Sequence, residues 1–314
     1  MAEPRGSGID GAHCFRTTPP LGATKAWANR NACDLAIPND AGIGNILVYT
    51  RLVDDLAKRL GRPLSILTAP LNPASQLLDG DDGFAIWRHN PHVRRIVDAG
   101  QIDARVMEDV NAERDNIVQY GHMLENIAYH YGLRPSLLRP SIYLNESECA
   151  WAFETLADFA RPIILLHPYS TSGPPAGFPW YRDAWLRLIN KIGGLGSIIE
   201  VRQHGREDKY LGLTSFPTTL RQMFALVWAA DVVVCLDSVV SHVATAFERF
   251  PIVLWDPSLK VIIEEKWQAG FALAALSRWS YPQNENVMLL ASCERDLVDI
   301  IAELVARKAR LGAF

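Results

Sequence analysis

One group of polar residues follows directly on a strongly apolar run. Asp237 and Ser238 come after the apolar run 231–236, and Ser241 and His242 follow on the next predicted helix. Serine hydroxyls and the free N–H groups of a helix N-terminus suit a diphosphate, and histidine adds a donor or a cation. The alternative is that a serine caps the helix and the histidine packs in the core. The position at the end of a predicted strand favours ligand binding.

A second candidate is the loop Asp40–Asn45, with the sequence DAGIGN. Gly42 and Gly44 can adopt positive φ and let the backbone approach a ligand, with helix amides directly behind. A tight strand-to-helix turn gives the same pattern. The complete G-x-x-x-x-G-K-[ST] and G-x-G-x-x-G fingerprints are absent, which disfavours a simple ATPase or NAD dehydrogenase.

Two further polar loops follow predicted strands in the second half of the chain. Ser170 and Thr171 belong to a hydroxyl-rich loop after the apolar run 162–168, and Arg206 follows the predicted strand 197–201. The carboxyl ends of parallel strands lie at one edge of a sheet, so these loops should meet there.

The elements that position these loops alternate between strand and helix. Continuous apolar runs are typical of parallel strands buried on both faces, and apolar residues at helical spacing predict the helices. The predicted strands are 35–37, 63–69, 84–87, 93–97, 162–168, 197–201, 231–236 and 251–255. The predicted helices are 46–60, 117–132, 146–160, 182–192, 220–229, 241–247 and 294–310. The alternation predicts an α/β protein of two Rossmann-like halves.

The proline-rich polar stretch 133–141 marks the expected boundary between the halves. We expect a flexible N-terminal extension at 1–34, an N-terminal domain at 35–145 and a C-terminal domain at 146–290. An amphipathic helix at 291–314 should dock back onto the body, with contact to a membrane surface as the alternative.

Composition excludes several classes of protein. The 314 residues are 49% hydrophobic with a net charge of −4, which excludes a chain disordered along its length and disfavours a nucleic-acid binder. The five cysteines contain no C-x-x-C pair, so we expect free thiols and no metal site. Without an apolar run of membrane-spanning length, we expect a cytoplasmic protein with at most peripheral contact at the inner face of the membrane.

Taken together, the motifs resemble those of glycosyltransferase family 9, the lipopolysaccharide heptosyltransferases. In the first half the likeness lies in the G-x-G-N loop at 42–45, NPHVRRIV at 90–97 and YGH at 120–122. In the second half it lies in the loop 167–179 and in D-S-V-V-S-H-V-A at 237–244, the most specific of these motifs.

The resemblance implies the GT-B fold and inverting transfer of a sugar from a nucleotide diphosphate to a hydroxyl acceptor, without an obligatory metal or cofactor. An ADP-sugar is the favoured donor, and the G-x-G-N wording, shared with fucosyltransferase-like enzymes, keeps a GDP-sugar open. The acceptor would be lipopolysaccharide or another glycan, free or lipid-linked, entering by the loop glycines Gly42 and Gly44. The implied donor-binding residues are Ser170, Thr171, Arg206, Asp237, Ser238, Ser241 and His242.

The chain departs from the family pattern at three positions. Where the family has an aspartate base, this chain has Asn45, and an amide cannot accept a proton. Asp40 and His122 are candidate replacements. Ala176 stands where the family has a lysine, and Val239 where it has a glycine. Two alternatives therefore stay open: a catalytically degenerate relative that binds a nucleotide or glycan, and an epimerase or hydrolase on the same fold.

Overall fold

The computed structural model describes eight stretches of the chain, which form two parallel sheets with helices packed around them. The described residues are 22–39, 42–71, 83–115, 122–168, 182–203, 211–255, 278–289 and 294–311. The strands are β1 (Leu35–Ala36), β2 (Leu64–Thr68), β3 (Val93–Asp98), β4 (Ile163–His167), β5 (Ser197–Gln203), β6 (Thr214–Thr218), β7 (Val232–Leu236), β8 (Ile252–Trp255) and β9 (Glu285–Met288). The helices are α1 (Gly22–Arg30), α2 (Ile43–Leu60), α3 (Arg105–Asp115), α4 (Met123–His130), α5 (Glu146–Thr155), α6 (Arg182–Ile192), α7 (Leu220–Ala229), α8 (Val239–Ala246) and α9 (Glu294–Leu311).

The second sheet has the strand order β6-β5-β4-β7-β8-β9, with every pair parallel. Counted along the chain, this is the doubly wound order 3-2-1-4-5-6. The order reverses between β4 and β7, where His167 lies opposite Cys235. Ligands of such sheets bind in the crevice beyond the strand ends at that reversal. Here the crevice lies beyond His167 on β4 and beside Asp237, the residue that follows β7.

The first sheet has the order β1-β2-β3, also parallel. Helix α2 follows β1 and packs its apolar face into the core through side chains such as Leu47 and Val53, both fully buried. It ends at Gly61, which adopts φ 66° and donates its N–H to the carbonyl of Lys58. The glycine C-cap predicted from the sequence is confirmed.

Residues 22–34 are a packed element, not the flexible extension expected from their composition. Helix α1 covers the first sheet with Trp27 and Ala28, which are 8% and 3% exposed. The indole of Trp27 donates to Asp109 at 2.7 Å, and the N–H of Thr24 donates to Glu113 at 2.9 Å. The prediction failed because this segment has low hydrophobicity. Its helix is stabilised by hydrogen bonds to two carboxylates of α3.

The predicted strand 84–87 is also wrong, because Ala85–Trp87 form a short 3-10 helix. All three residues are buried, and the carbonyl of Ala85 accepts a hydrogen bond from Arg221 instead of a neighbouring strand. A short apolar run satisfies either structure, so periodicity cannot separate them.

Three elements carry too weak a pattern to be predicted. Helix α3 is highly charged, β9 has the sequence ENVM, and β6 contains Pro217. Strand β6 stands first in the described sheet order, and an outer strand tolerates a proline because one side needs no ladder bond.

A buried arginine of the second half, paired with a glutamate of the same half, also reaches the first half. Arg221 on α7 is 3% exposed and donates to both carboxylate oxygens of Glu148 on α5, at 2.8 and 2.7 Å. The same guanidinium donates to the carbonyls of Ala85 and Tyr143. The guanidinium therefore donates hydrogen bonds to the first half, to the connecting segment and to the second half.

The connecting segment is anchored on α2 as well. The hydroxyl of Tyr143 donates to the buried carboxylate of Asp54 at 2.6 Å. The N–H of Ser141 donates to the hydroxyl of Thr50 at 2.8 Å. The end of the stretch 133–141, which the sequence marked as the domain boundary, and the residues just after it are thus hydrogen-bonded to the first domain.

Helix α9 docks back onto the second sheet, as predicted. Its residues Ile301 and Val305 are fully buried, and Asp299 pairs with Lys191 of α6 at 2.6 Å. None of the helices in the described part of the chain is both long enough and apolar enough to cross a bilayer.

Candidate active site

The site is built where the first turns of two helices from opposite halves meet. Gly44 lies in the first turn of α2, and His242 is the fourth residue of α8. A Cβ atom on Gly44 would lie 2.6 Å from Cδ2 and 2.9 Å from Nε2 of His242, closer than real Cβ contacts. The imidazole therefore rests on the bare Cα of the glycine.

This contact changes the explanation of why glycine stands in this loop. Neither adopts the positive φ that the sequence suggested: Gly42 is the N-cap of α2 at φ −59° and ψ 156°, and Gly44 is helical. Gly44 is required by the close approach of a side chain from the other half. Asn45 follows it in the same turn, half-buried, with its N–H donated to the carbonyl of Gly42.

The N-terminus of α8 presents Asp237 and Ser238 at the strand-order reversal of the second sheet. Ser238 occupies the N-cap position without a side-chain capping bond, and its buried Oγ has no partner among the described residues. Burial raises the pKa of Asp237 to about 7, so this carboxyl carries a proton through part of the neutral range.

His242 is neutral, which corrects the expectation that it could supply a cation. The ring is 4% exposed, and burial, followed by the proximity of His122, lowers its pKa to about 3. Its Nδ1 lies 2.6 Å from the hydroxyl oxygen of Tyr281. What it can offer a ligand is a hydrogen bond, not a charge.

His122 comes from the first half and lies in the same cluster. It is the N-cap of α4, where its Nδ1 accepts the N–H of Leu124 at 3.1 Å. That bond requires the neutral tautomer with hydrogen on Nε2. Burial lowers its pKa to about 4, and Nε2 is buried without a hydrogen-bond partner among the described residues. In this arrangement His122 is a hydrogen-bond donor, and the base role proposed for it stays a prediction that this geometry does not favour.

The hydroxyl of Ser241 makes its hydrogen bond inside the protein. Its hydroxyl donates to the carbonyl of Ser238 at 2.7 Å, inside the first turn of α8, and the residue is 3% exposed. The expected contact of Ser241 with the diphosphate stays a prediction, which this internal hydrogen bond does not favour.

Four other predicted site residues cannot be placed. Asp40, Ser170, Thr171 and Arg206 lie outside the described residues, as does Ala176. Their assignment to the site stays a prediction.

Sequence reasoning missed Tyr281, which lies between the two histidines. The residue is 1% exposed, and its ring centroid lies 4.9 Å from that of His122 and 5.5 Å from that of His242. Trp279 lies at the edge of the same cluster, 6.3 Å from His242. Neither residue belongs to an apolar period or a motif, so no signal in the sequence connected them with the site.

The arrangement is suited to an anion held by dipoles. Two helix N-termini, each with a positive partial charge, meet near two neutral imidazoles and the Ser238 hydroxyl, for which the described part of the chain supplies no partner. Within the described ranges, no group of three or more His, Cys, Asp or Glu side chains is placed to hold a metal ion.

Comparisons with known proteins give one family and several solved structures. The sequence model of glycosyltransferase family 9 (heptosyltransferase) matches residues 109–285. No curated protein sequence matches the chain.

The solved structures are similar over most of both chains. ADP-heptose LPS heptosyltransferase II of E. coli is 14% identical with a TM-score of 0.58, covering 88% of this chain and 97% of its own. A family 9 glycosyl transferase of Veillonella parvula is 11% identical with a TM-score of 0.59, covering 88% and 96%. E. coli heptosyltransferase WaaC, solved with ADP, is 12% identical with a TM-score of 0.51, covering 87% and 99%. The likeness shows that the predicted two-domain fold is correct.

Proposed function

Since the chain belongs to glycosyltransferase family 9, an enzyme family with the GT-B fold, we propose that it transfers a sugar from a nucleotide diphosphate to a hydroxyl acceptor with inversion. The observation that carries the proposal is the meeting of α2 and α8 at Gly44 and His242. A leaving diphosphate needs stabilisation of its developing charge, and paired helix N-termini supply it without a metal.

The donor side of the site is proposed to lie on the second half. The hydroxyl of Ser238 is buried and unpaired among the described residues, so it can donate to a phosphate oxygen. His242 adds a neutral hydrogen-bond donor, and Asp237 can be protonated near neutral pH, which reduces its repulsion of the diphosphate. We propose an ADP-sugar as the donor, with a GDP-sugar as the alternative.

The acceptor is proposed to enter from the first half, along the loop that precedes α2, and to be a glycan such as lipopolysaccharide. Inverting transfer requires a base that takes the proton of the acceptor hydroxyl. Asn45 cannot accept a proton, and the geometry of His122 makes it a donor. Asp40 is therefore the proposed base. We further propose that the enzyme acts in the cytoplasm, at the inner face of the membrane when its acceptor is carried on lipid.

Calorimetric titration with ADP and GDP tests the donor site. Replacing Ser238 by alanine should weaken binding of the preferred nucleotide about tenfold, because one hydrogen bond to a charged oxygen is lost. The matched control is Ser141→Ala, which removes another buried hydroxyl, located in the connecting segment. Equal affinities for the wild type and Ser238→Ala would contradict this placement.

Turnover tests the reaction itself. The pure protein is given labelled ADP-, GDP- and UDP-sugars with oligosaccharide acceptors, and the anomeric configuration of the product is read by NMR. We expect transfer with inversion from one donor. Nucleotide binding without turnover of any donor would favour the degenerate, binding-only alternative, and release of sugar without an acceptor would favour a hydrolase.

A further inference from the structure

We propose that Tyr281 is a positioning residue that fixes His242 in the tautomer carrying hydrogen on Nε2, the nitrogen that faces Gly44 where α2 and α8 meet. This inference rests on the proposed function for its catalytic consequence, and on the geometry of the cluster for the tautomer. Tyr281 belongs to no motif of the chain and lies 39 residues beyond its partner.

The contact between the two side chains is short, and the rings are well oriented for a hydrogen bond. The hydroxyl oxygen of Tyr281 and Nδ1 of His242 are 2.6 Å apart, and the two rings are close to perpendicular, at 89°. Burial raises the pKa of Tyr281 well above its ordinary value, so the phenol keeps its proton. A phenol that donates to Nδ1 leaves the ring hydrogen on Nε2.

Tyr281 is held rigidly enough to act in this way. Its carbonyl accepts the side-chain amide of Asn286 at 3.0 Å, and the N–H of Asn284 at 3.1 Å. The amide of Asn284 in turn donates to the hydroxyl of Thr245 on α8 at 2.8 Å. The segment that carries the phenol is therefore tied to the helix that carries the imidazole.

The opposite side of the imidazole is also constrained. The Cδ2 and Nε2 edge of His242 rests against Gly44, while Nδ1 faces Tyr281. The ring is thus held between the first turn of α2 and the phenol, which leaves little freedom for rotation. A preoriented N–H stabilises charge on a leaving group better than one that must reorient during the reaction.

The phenol ring also contacts the first half. His122 packs on it with a centroid separation of 4.9 Å and an interplanar angle of 47°. The orientation of the imidazole on α8 is therefore set by residues from both halves, and it depends on their correct approach.

The test is Tyr281→Phe, which keeps the ring and removes only the hydroxyl. Long-range ¹H–¹⁵N NMR of the full-length protein reports the tautomer of His242, assigned by loss of its signals in His242→Gln. We expect a single tautomer with hydrogen on Nε2 in the wild type, and a mixture or the opposite tautomer in Tyr281→Phe. This readout needs no donor and no turnover.

Kinetics then tests the consequence. Tyr281→Phe should lower kcat about tenfold, the worth of one hydrogen bond, with little change in the KM of the donor. In a double-mutant cycle the same change should have no further effect in the His242→Gln background, because Tyr281 acts only through His242. The control is Tyr131→Phe, which removes a hydroxyl bonded to the carbonyl of Ala36 in the first half.

Two results would overturn the inference. Identical ring-nitrogen shifts of His242 in the wild type and Tyr281→Phe would show that the phenol does not set the tautomer. Additive losses in the double-mutant cycle would show that Tyr281 acts elsewhere. Absence of turnover in the wild type would contradict the proposed function, while the NMR comparison would still decide the role of Tyr281.

Discussion

The imidazole of His242 lies on the Cα of Gly44. A side chain of the second half therefore occupies the space into which any residue other than glycine at position 44 would place its Cβ. The contact links the helix that follows β1 to the helix that follows β7. The two candidate loops that the sequence treated separately are therefore parts of one site.

Gly44→Ala should disturb this junction. The added methyl group would lie 2.6 Å from the ring of His242, so the ring or the helix must move. We expect a loss of about 1–3 kcal/mol in the free energy of unfolding, despite the better helix propensity of alanine, together with weaker nucleotide binding. Chemical denaturation and calorimetry measure both. Gly194→Ala is the control, since a Cβ there meets nothing within 4 Å. Equal losses in the two variants would refute the steric explanation.

Arg221→Met should be strongly destabilising. The substitution leaves the carboxylate of Glu148, 15% exposed, and two carbonyls without their donor. Breaking a buried pair in this way costs about 3–5 kcal/mol. The surface pair of Lys191 with Asp299 provides the comparison, and Lys191→Met should cost less than about 1 kcal/mol. Urea denaturation distinguishes them, and similar midpoints would contradict a structural role for Arg221.

The stability of the protein should fall on acidification because of its buried histidines. The pKa of His122 is lowered from 6.5 to about 4, so the unfolded chain binds the extra proton between these values. Above pH 6.5 His122 does not change the free energy of unfolding. As the pH falls from 6.5 to about 4, proton binding by the unfolded chain lowers that free energy by about 3 kcal/mol.

His122→Asn isolates this contribution, because asparagine keeps an N-cap oxygen for the N–H of Leu124 but does not titrate. The free energy of unfolding of the variant should depend less steeply on pH than that of the wild type between pH 6.5 and 4. Above pH 7 the two curves should run parallel. The raised pKa of Asp237 acts in the opposite direction, but it is common to both proteins and cancels in the difference. Parallel curves down to pH 4 would refute the assignment.

Donor binding should tighten as the pH falls through 7. Protonation of Asp237, whose pKa is about 7, removes a negative charge beside the diphosphate. ADP-ribose is a suitable probe, because its diphosphate keeps the same charge over this range. We expect its affinity to rise about tenfold from pH 8 to pH 6 in the wild type. Asp237→Asn should bind with little pH dependence, while Asp98→Asn, in the first half, should behave as the wild type. A pH profile unchanged by Asp237→Asn would exclude this carboxyl as the titrating group.

Asp40→Asn should abolish transfer while leaving nucleotide affinity unchanged, because it removes the proposed base and nothing that holds the donor. Adding Asn45→Asp to that variant supplies a carboxylate where the family has its aspartate and should restore part of the activity. Single-turnover kinetics measures the chemical step directly. Undiminished transfer by Asp40→Asn would assign the base to another residue.

Much of the fold could be predicted because parallel strands buried on both faces need unbroken apolar runs. The predicted strands 162–168 and 231–236 contain the central strands β4 and β7, and helix α6 has the predicted limits Arg182–Ile192. The prediction failed where an element is mostly polar, as in α1, or too short for its period to be read, as at Ala85–Trp87.

The sequence by itself determined the class of protein and the position of Asp237, Ser238 and His242 at a strand end, since both follow from local pattern and motif. Only the tertiary structure decided what these groups can do. The hydrogen bond to Leu124 makes His122 a donor, burial makes His242 neutral, and Tyr281 and Gly44 reach it from distant parts of the chain. Protonation and tautomer depend on neighbours in space and on exclusion of water, which local patterns of residues do not record.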